Sequence, residues 1–286
     1  MRAAIVLLAL ALLGGLGFSW YAGGMLIEPA NHPVDPPPAE LAAATVTFAS
    51  QSGSTIHAWL SRGMPGRGAV LILHGVGADR STMLARALFL HALGYAVLAI
   101  DFQAHGESPG KHITVGDLES WDVVAASEYL HRALPGERVG AIGVSMGAAA
   151  IVLAKKPLGL SAVVLESMYP TIEEALDDRM RIALGSWGVL CTPLLTAQLK
   201  PRLGIYPSRL HPIDSIARLG APLLLIHGVE DHHTRIEEAR RVFSAAAEPK
   251  SLWEVPGAAH VDLHDFAGAE YERRVDAFLA ANLARR

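Results

Sequence analysis

The chain has 286 residues, 51% of them hydrophobic and 18% charged, with a formal net charge of -4 at pH 7. That size and apolar content suit one domain with a sizeable core, and the charge balance offers no basic field for nucleic acid or another polyanion. Cys191 is the single cysteine, which excludes an intramolecular disulfide and reads as a small apolar filler.

In chain order, Arg2 precedes an apolar run from Ala3 to Leu13 and a Gly-rich, aromatic stretch from Gly14 to Gly24. The uncharged segment to Ile27 is long enough to cross a bilayer, with Trp20 and Tyr21 suited to the interface. Residues 1–27 are therefore read as a retained signal anchor. The alternative is an export signal cleaved near Ala22-Gly23-Gly24, although no clean A-x-A site is present. The remainder would lie outside the cytoplasm, tethered to the membrane, or secreted or periplasmic if the leader is removed. Residues 28–44 form a Pro-rich linker.

Residues 45–286 read as one folded unit. Thr45–Ser50 and Ser54–Leu60 alternate around Gln51-Ser52-Gly53, which predicts an antiparallel hairpin. Short apolar runs follow at Ala69–Leu73, Ala96–Ile100, Val139–Gly143, Ala162–Glu166 and Pro222–Ile226, each suited to burial on both faces of a parallel sheet. Helices are expected at Met83–Leu93, Val115–Leu134 and Phe266–Leu283. This alternation predicts an α/β class, a doubly wound, mostly parallel sheet with its site at the carboxyl ends of the strands. Between Tyr169 and Ala221 the alternation breaks, with prolines at Pro193, Pro201, Pro207 and Pro212. The apolar content of that stretch, including Trp187, Leu190, Leu194 and Leu195, predicts a short helical lid at about 169–221 that sets selectivity.

The chemistry-bearing motif is Gly143-Val144-Ser145-Met146-Gly147, directly after a strand-like run and before the helical Ala148–Ala154. A strand-to-helix turn this tight exposes the serine hydroxyl and needs small residues on either side. A serine needs a base within hydrogen-bond reach and an acid to orient that base. His260, in a Gly-containing loop beyond Ser251–Val255, is the expected base; Asp231, beyond the Pro222–Ile226 run, is the expected acid. Glu166 and Asp262 are weaker candidates for the acid, since neither has the context of Asp231. An oxyanion hole requires two preorganised N–H donors. Met146 is expected to supply one and Val76, in His74-Gly75-Val76-Gly77, the other, with Gly75 or Gly77 as alternatives. His232, His233 and His264 are read as loop histidines; serine chemistry requires no metal or cofactor, and none is expected.

From Thr45 onward these motifs, together with Asp101–Ser108 and His227–Asp231, resemble the α/β-hydrolase superfamily, and within it the serine hydrolases with an N-terminal membrane segment and a short helical lid. The resemblance implies the α/β-hydrolase fold and the triad Ser145, Asp231 and His260. One departure is Gln103-Ala104, where relatives often carry Arg-Gly. The expected reaction is acyl transfer to water from a small-molecule acyl ester, because alkoxides leave more readily than amines. Amidase, peptidase or thioesterase chemistry on the same triad is the alternative, and a catalytically silent, membrane-tethered interaction protein is the rival of another class. The oligomeric state is left open by the sequence.

Overall fold

The computed structural model describes residues 1–284, with the side chains at 8, 9, 11 and 12 outside that description. The central sheet has eight strands: β1 (Ala43–Ala49), β2 (Thr55–Ser61), β3 (Ala69–Leu73), β4 (Ala96–Ile100), β5 (Val139–Val144), β6 (Leu160–Glu166), β7 (Leu223–Gly228) and β8 (Lys250–Val255). The helices are α1 (Arg2–Met25), α2 (Leu84–Ala92), α3 (Glu119–Ala133), α4 (Met146–Val152), α5 (Ile172–Leu184), α6 (Thr192–Thr196), α7 (Leu199–Leu203), α8 (Ile236–Ala245), α9 (Leu263–Ala267) and α10 (Ala269–Leu283).

Across the sheet the order is β8-β7-β6-β5-β3-β4-β2-β1. Strand β2 runs antiparallel to β1 and β4, and the other pairings are parallel. Burial on both faces explains the unbroken apolar runs. In β3, Ala69, Leu71 and Leu73 join the core under α3, α4 and α8, while Val70 and Ile72 join the core under α2 and α10. The consequence is that β3, β5, β6, β7 and β8 all end on one edge, where the sequence places its polar motifs.

Three boundaries differ from the sequence reading. Helix α3 begins at Glu119 rather than Val115, because Val115 and Gly116 have φ of 52° and 111°. The Glu119 carboxylate accepts from Thr114 N (2.9 Å), Gly116 N (2.8 Å) and the Thr114 hydroxyl (2.5 Å), which fixes that turn. The closing helix is broken at Gly268 into α9 and α10. The Pro-rich linker is strapped to the body: Ala30–Asn31 pair with His105–Gly106, His32 bonds Asp79 (2.9 Å), and Leu41 is buried against the second core.

The insertion folds over its own small core of Ile172, Leu176, Leu195, Leu199, Ile205 and Leu210. Helix α5 is tied to the body by Asp178–Arg235 (2.9 Å) and Glu174–Arg241, and to the end of the insertion by Glu173–His211 (2.8 Å). Trp187 and Leu194, expected to set selectivity from the lid, are exposed and take no part in that core. Among the described residues no helix is long and apolar enough to cross a membrane, so the structure does not support the expected signal anchor over residues 1–27.

Candidate active site

Strand β5 ends at Val144, and Ser145 follows with φ 50° and ψ -110°, a conformation that costs an L residue of order 1–3 kcal/mol. The turn is held by Ser145 N–H donating to Glu166 O (2.8 Å) and by Ala149 N–H donating to Ser145 O (3.1 Å). A Cβ at Gly147 would lie 2.5 Å from Leu73 O and 2.7 Å from His74 O. Only glycine lets α4 start against the end of β3, so the spacing of the motif has a steric cause.

Two strands away, Asp231 lies in the turn after β7. One of its oxygens accepts from His233 N (2.8 Å) and Thr234 N (3.0 Å); the other accepts from the Thr234 hydroxyl (3.0 Å) and pairs with His260 Nδ1 at 2.6 Å. Burial alone would raise the Asp231 pKa, but the hydrogen bond and charge of His260, with the Thr234 N–H, hold it below the ordinary carboxylate value. His260 reaches it because the loop after β8 crosses β7 at Gly228, where a Cβ would collide with Ala258 O. The loop after β6 lies alongside, with Thr234 Oγ1 3.5 Å from Ser167 O. Ser145 Oγ makes no hydrogen bond among the described residues, a looseness common at unliganded nucleophile–base pairs.

The loop after β3 flanks the serine: a Cβ on Gly75 would lie 3.7 Å from Ser145 Cβ. Two buried imidazoles hold this loop. His74 donates from Nδ1 to Gly75 O (2.7 Å) and accepts from Phe102 N at Nε2 (3.1 Å), and its burial drives the pKa down to about 3. His105 accepts from Gly77 N (3.1 Å), and burial lowers its pKa too. Gly77 N–H is therefore engaged, which removes it as an oxyanion donor. The N–H groups of Val76 and Met146 donate to no acceptor among the described residues.

The alternative acids are committed elsewhere. Glu166 pairs with Arg86 (2.7 Å) and accepts from Tyr271 (2.6 Å); Asp262 pairs with the other end of Arg86 (2.6 Å) and caps α9. Asp101 likewise anchors its loop through Arg80 and Glu107 N (2.9 Å). Asp262, His264 and Asp265 bring candidate ligand atoms within 4.8 Å of one another, but a cation there would sit beside the Arg86 guanidinium.

Three further side chains lie about the Asp231–His260 pair, and the sequence alone assigns none of them a role there. The His233 ring lies 5.1 Å from that of His260, where burial and the charge of His260 lower its pKa. His227, wholly buried, donates from Nε2 to Thr234 O (2.6 Å) and braces the acid loop. Arg179 on α5 is partly buried and donates among the described residues to the Ala175 carbonyl (3.2 Å); burial lowers its pKa, against Tyr169 and the charge of Asp231. Nothing local in the sequence marks Arg179, which comes from an element 52 positions before the acid.

Residues 65–205 match the family described as serine aminopeptidase, S33. A Mycobacterium tuberculosis protein, Rv2307c, is 31% identical over 264 residues, spanning 90% of this chain and 87% of its own. Among solved structures, a Pyrococcus furiosus esterase, Pf2001, superimposes with a TM-score of 0.72 at 26% identity, covering 90% of this chain and 100% of that one. A Paleococcus ferrophilus monoacylglycerol lipase shares the fold with a TM-score of 0.56 at 20% identity, over 79% of this chain and 98% of its own. With the strand order, the strained serine turn and these likenesses together, the chain belongs to the α/β-hydrolase superfamily, as a hydrolase in one family with the Mycobacterium tuberculosis protein.

Proposed function

We propose that the protein hydrolyses carboxylic esters through an acyl-enzyme on Ser145. The observation that carries this reading is the Asp231–His260 pair at 2.6 Å on the same sheet edge as the strained Ser145 turn. Ser145 Oγ attacks the ester carbonyl while His260 Nε2 takes its proton, and the Asp231 carboxylate holds the Nδ1–H tautomer and balances the imidazolium. The unengaged N–H groups of Met146 and Val76 face the developing oxyanion. His260 returns its proton to the leaving alkoxide, and water releases the acyl group by the same steps in reverse.

The family description raises a second reading, aminopeptidase activity on the same triad. An aminopeptidase must hold a substrate ammonium close to its triad. Here Asp231 is bound to His260, Glu166 is bound to Arg86, and the partly buried Arg179 brings positive charge toward the triad. That arrangement disfavours a cationic α-amine and favours esters. A matched pair decides between them: hydrolysis of p-nitrophenyl butyrate with no release from alanine p-nitroanilide supports the ester reading, and the reverse pattern overturns it.

We further propose that α1 is retained and holds the protein at a membrane with the hydrolase unit outside the cytoplasm, which would match Arg2 and the positive-inside rule. The expected result is recovery in the membrane fraction after a high-pH carbonate wash with residues 1–27 still attached. A soluble exported protein starting near Met25 overturns the anchor and leaves the esterase reading intact.

A further inference from the structure

Helix α1 does not stand apart from the hydrolase unit. Gln198 Nε2, between α6 and α7, donates to Ser19 O (3.0 Å) and Ser19 Oγ (3.1 Å). The Arg202 guanidinium lies 3.8 Å from the Trp20 ring centre and donates to Trp20 O. Gly23 fits against Gln198 so closely that a Cβ there would collide with the amide. The insertion thus grips α1 from Ser19 to Gly24. On the N-terminal side of that grip, Ile5, Leu10, Leu16 and Phe18 are all exposed, and no part of the described protein covers them.

A second apolar surface begins beside the grip. From the end of α5 through α6, Ile182, Leu184, Trp187, Leu190 and Leu194 are exposed, Trp187 by 80% and Leu190 by 67%. Water-facing residues of this size in one short stretch exceed the scattered apolar exposure of an ordinary surface. From Arg181 to Arg209 the chain carries no Asp or Glu, but includes Lys200 and Arg202. An apolar face with an aromatic tip, flanked by cations and free of acids, is complementary to the interface of an anionic bilayer, where cations meet headgroups and the indole sits at the acyl boundary.

We propose that α1 and the insertion form one continuous lipid-facing surface, with Trp187 and Leu190 seated in the interfacial layer of an anionic phospholipid bilayer. The proposal rests on the membrane reading of α1. The Ser19–Trp20 contacts set the depth: the insertion docks where α1 emerges, so its free apolar face meets the same interface. Such seating positions the insertion to receive acyl esters from the lipid phase.

The test uses the full chain reconstituted in vesicles of phosphatidylcholine and phosphatidylglycerol with acyl chains brominated near the headgroup. Tryptophan emission is compared among wild type, Trp187→Phe and Trp20→Phe. The component removed by Trp187→Phe is expected to be quenched by roughly twofold or more, as for an interfacial indole. If the Trp20 component is quenched and the Trp187 component is not, the seating is overturned and the anchor survives; if neither is quenched, both fall. Trp187 shielded from iodide in a detergent-solubilised dimer would assign the face to a second copy and overturn the proposal. As an independent check, Trp187→Asp with Leu190→Asp should leave turnover of a short soluble ester unchanged. It should also lower turnover of a long-chain ester dispersed in the same vesicles by roughly tenfold. Equal loss on both substrates, or on neither, contradicts the seating.

Discussion

At the scale of single residues, the site separates three carboxylates by what they already hold. Asp231 faces His260 at 2.6 Å, whereas Glu166 and Asp262 are spent on Arg86. Asp231→Asn should lower the turnover number by about two to four orders of magnitude with little change in fold, because asparagine favours the wrong imidazole tautomer. Glu166→Gln should do the opposite. It breaks a buried ion pair, and the expected cost is about 3–5 kcal/mol of stability, read as a fall in denaturant midpoint, with turnover at saturation largely kept. A crippled Glu166→Gln beside an active Asp231→Asn would move the acid to β6.

Another single residue governs a pH effect. Asp122 is buried with one oxygen accepting from Gln103 N (2.9 Å), and burial, only partly offset by the nearby Ser50 and Ser52 hydroxyls, pushes its pKa up to about 7. Its neighbour Gln103 donates to Glu119 (2.7 Å), whose charge adds to the rise. The folded state then binds the Asp122 proton more tightly than the unfolded chain. Stability should fall as pH rises from about 4 to about 7 and level off above that. Asp122→Asn should flatten that slope in a urea-midpoint series; an unchanged slope would acquit Asp122. None of this is legible from spacing, because Gln103, Glu119 and Asp122 meet only in the folded loop, whereas Ser145 declares itself through the two glycines its turn requires.

At the scale of elements, the apolar runs of β3 to β7 read correctly because both faces are buried and each run is only 5 to 7 residues long, too short for an ordinary helix. The hairpin at Gln51–Gly53 was equally clear, with Ala49 opposite Thr55. The antiparallel union of β2 with β4 was not, since strand order depends on long-range pairing that alternation does not encode. The insertion was recognisable from its prolines, but not the direction its residues face. Because Trp187 is exposed, Trp187→Ala should leave the ranking of soluble acyl chain lengths unchanged, which a p-nitrophenyl ester series measures directly. The tie between α5 and the acid-bearing segment is Arg235, bonded to buried Asp178 (2.9 Å) and to Glu238 (3.2 Å), whose pKa is raised to about 7 by burial and by Asp178. Arg235→Ala should lower thermal stability by about 1–2 kcal/mol, discounted because the arginine is half exposed.

At the scale of the molecule, one hydrolase unit carries its polar motifs on the edge where the six parallel strands β3 to β8 end, and the N-terminal helix is held by the insertion between β6 and β7. The proposed nucleophile of this unit is Ser145. This assignment is tested most directly by treating detergent-solubilised wild type and Ser145→Ala with a fluorophosphonate probe and mapping the adduct by peptide mass spectrometry. The expected result is a single adduct per chain on Ser145, lost together with ester hydrolysis in the alanine variant while the thermal transition persists. An adduct on another residue, or a folded wild type that neither labels nor hydrolyses esters, would contradict it.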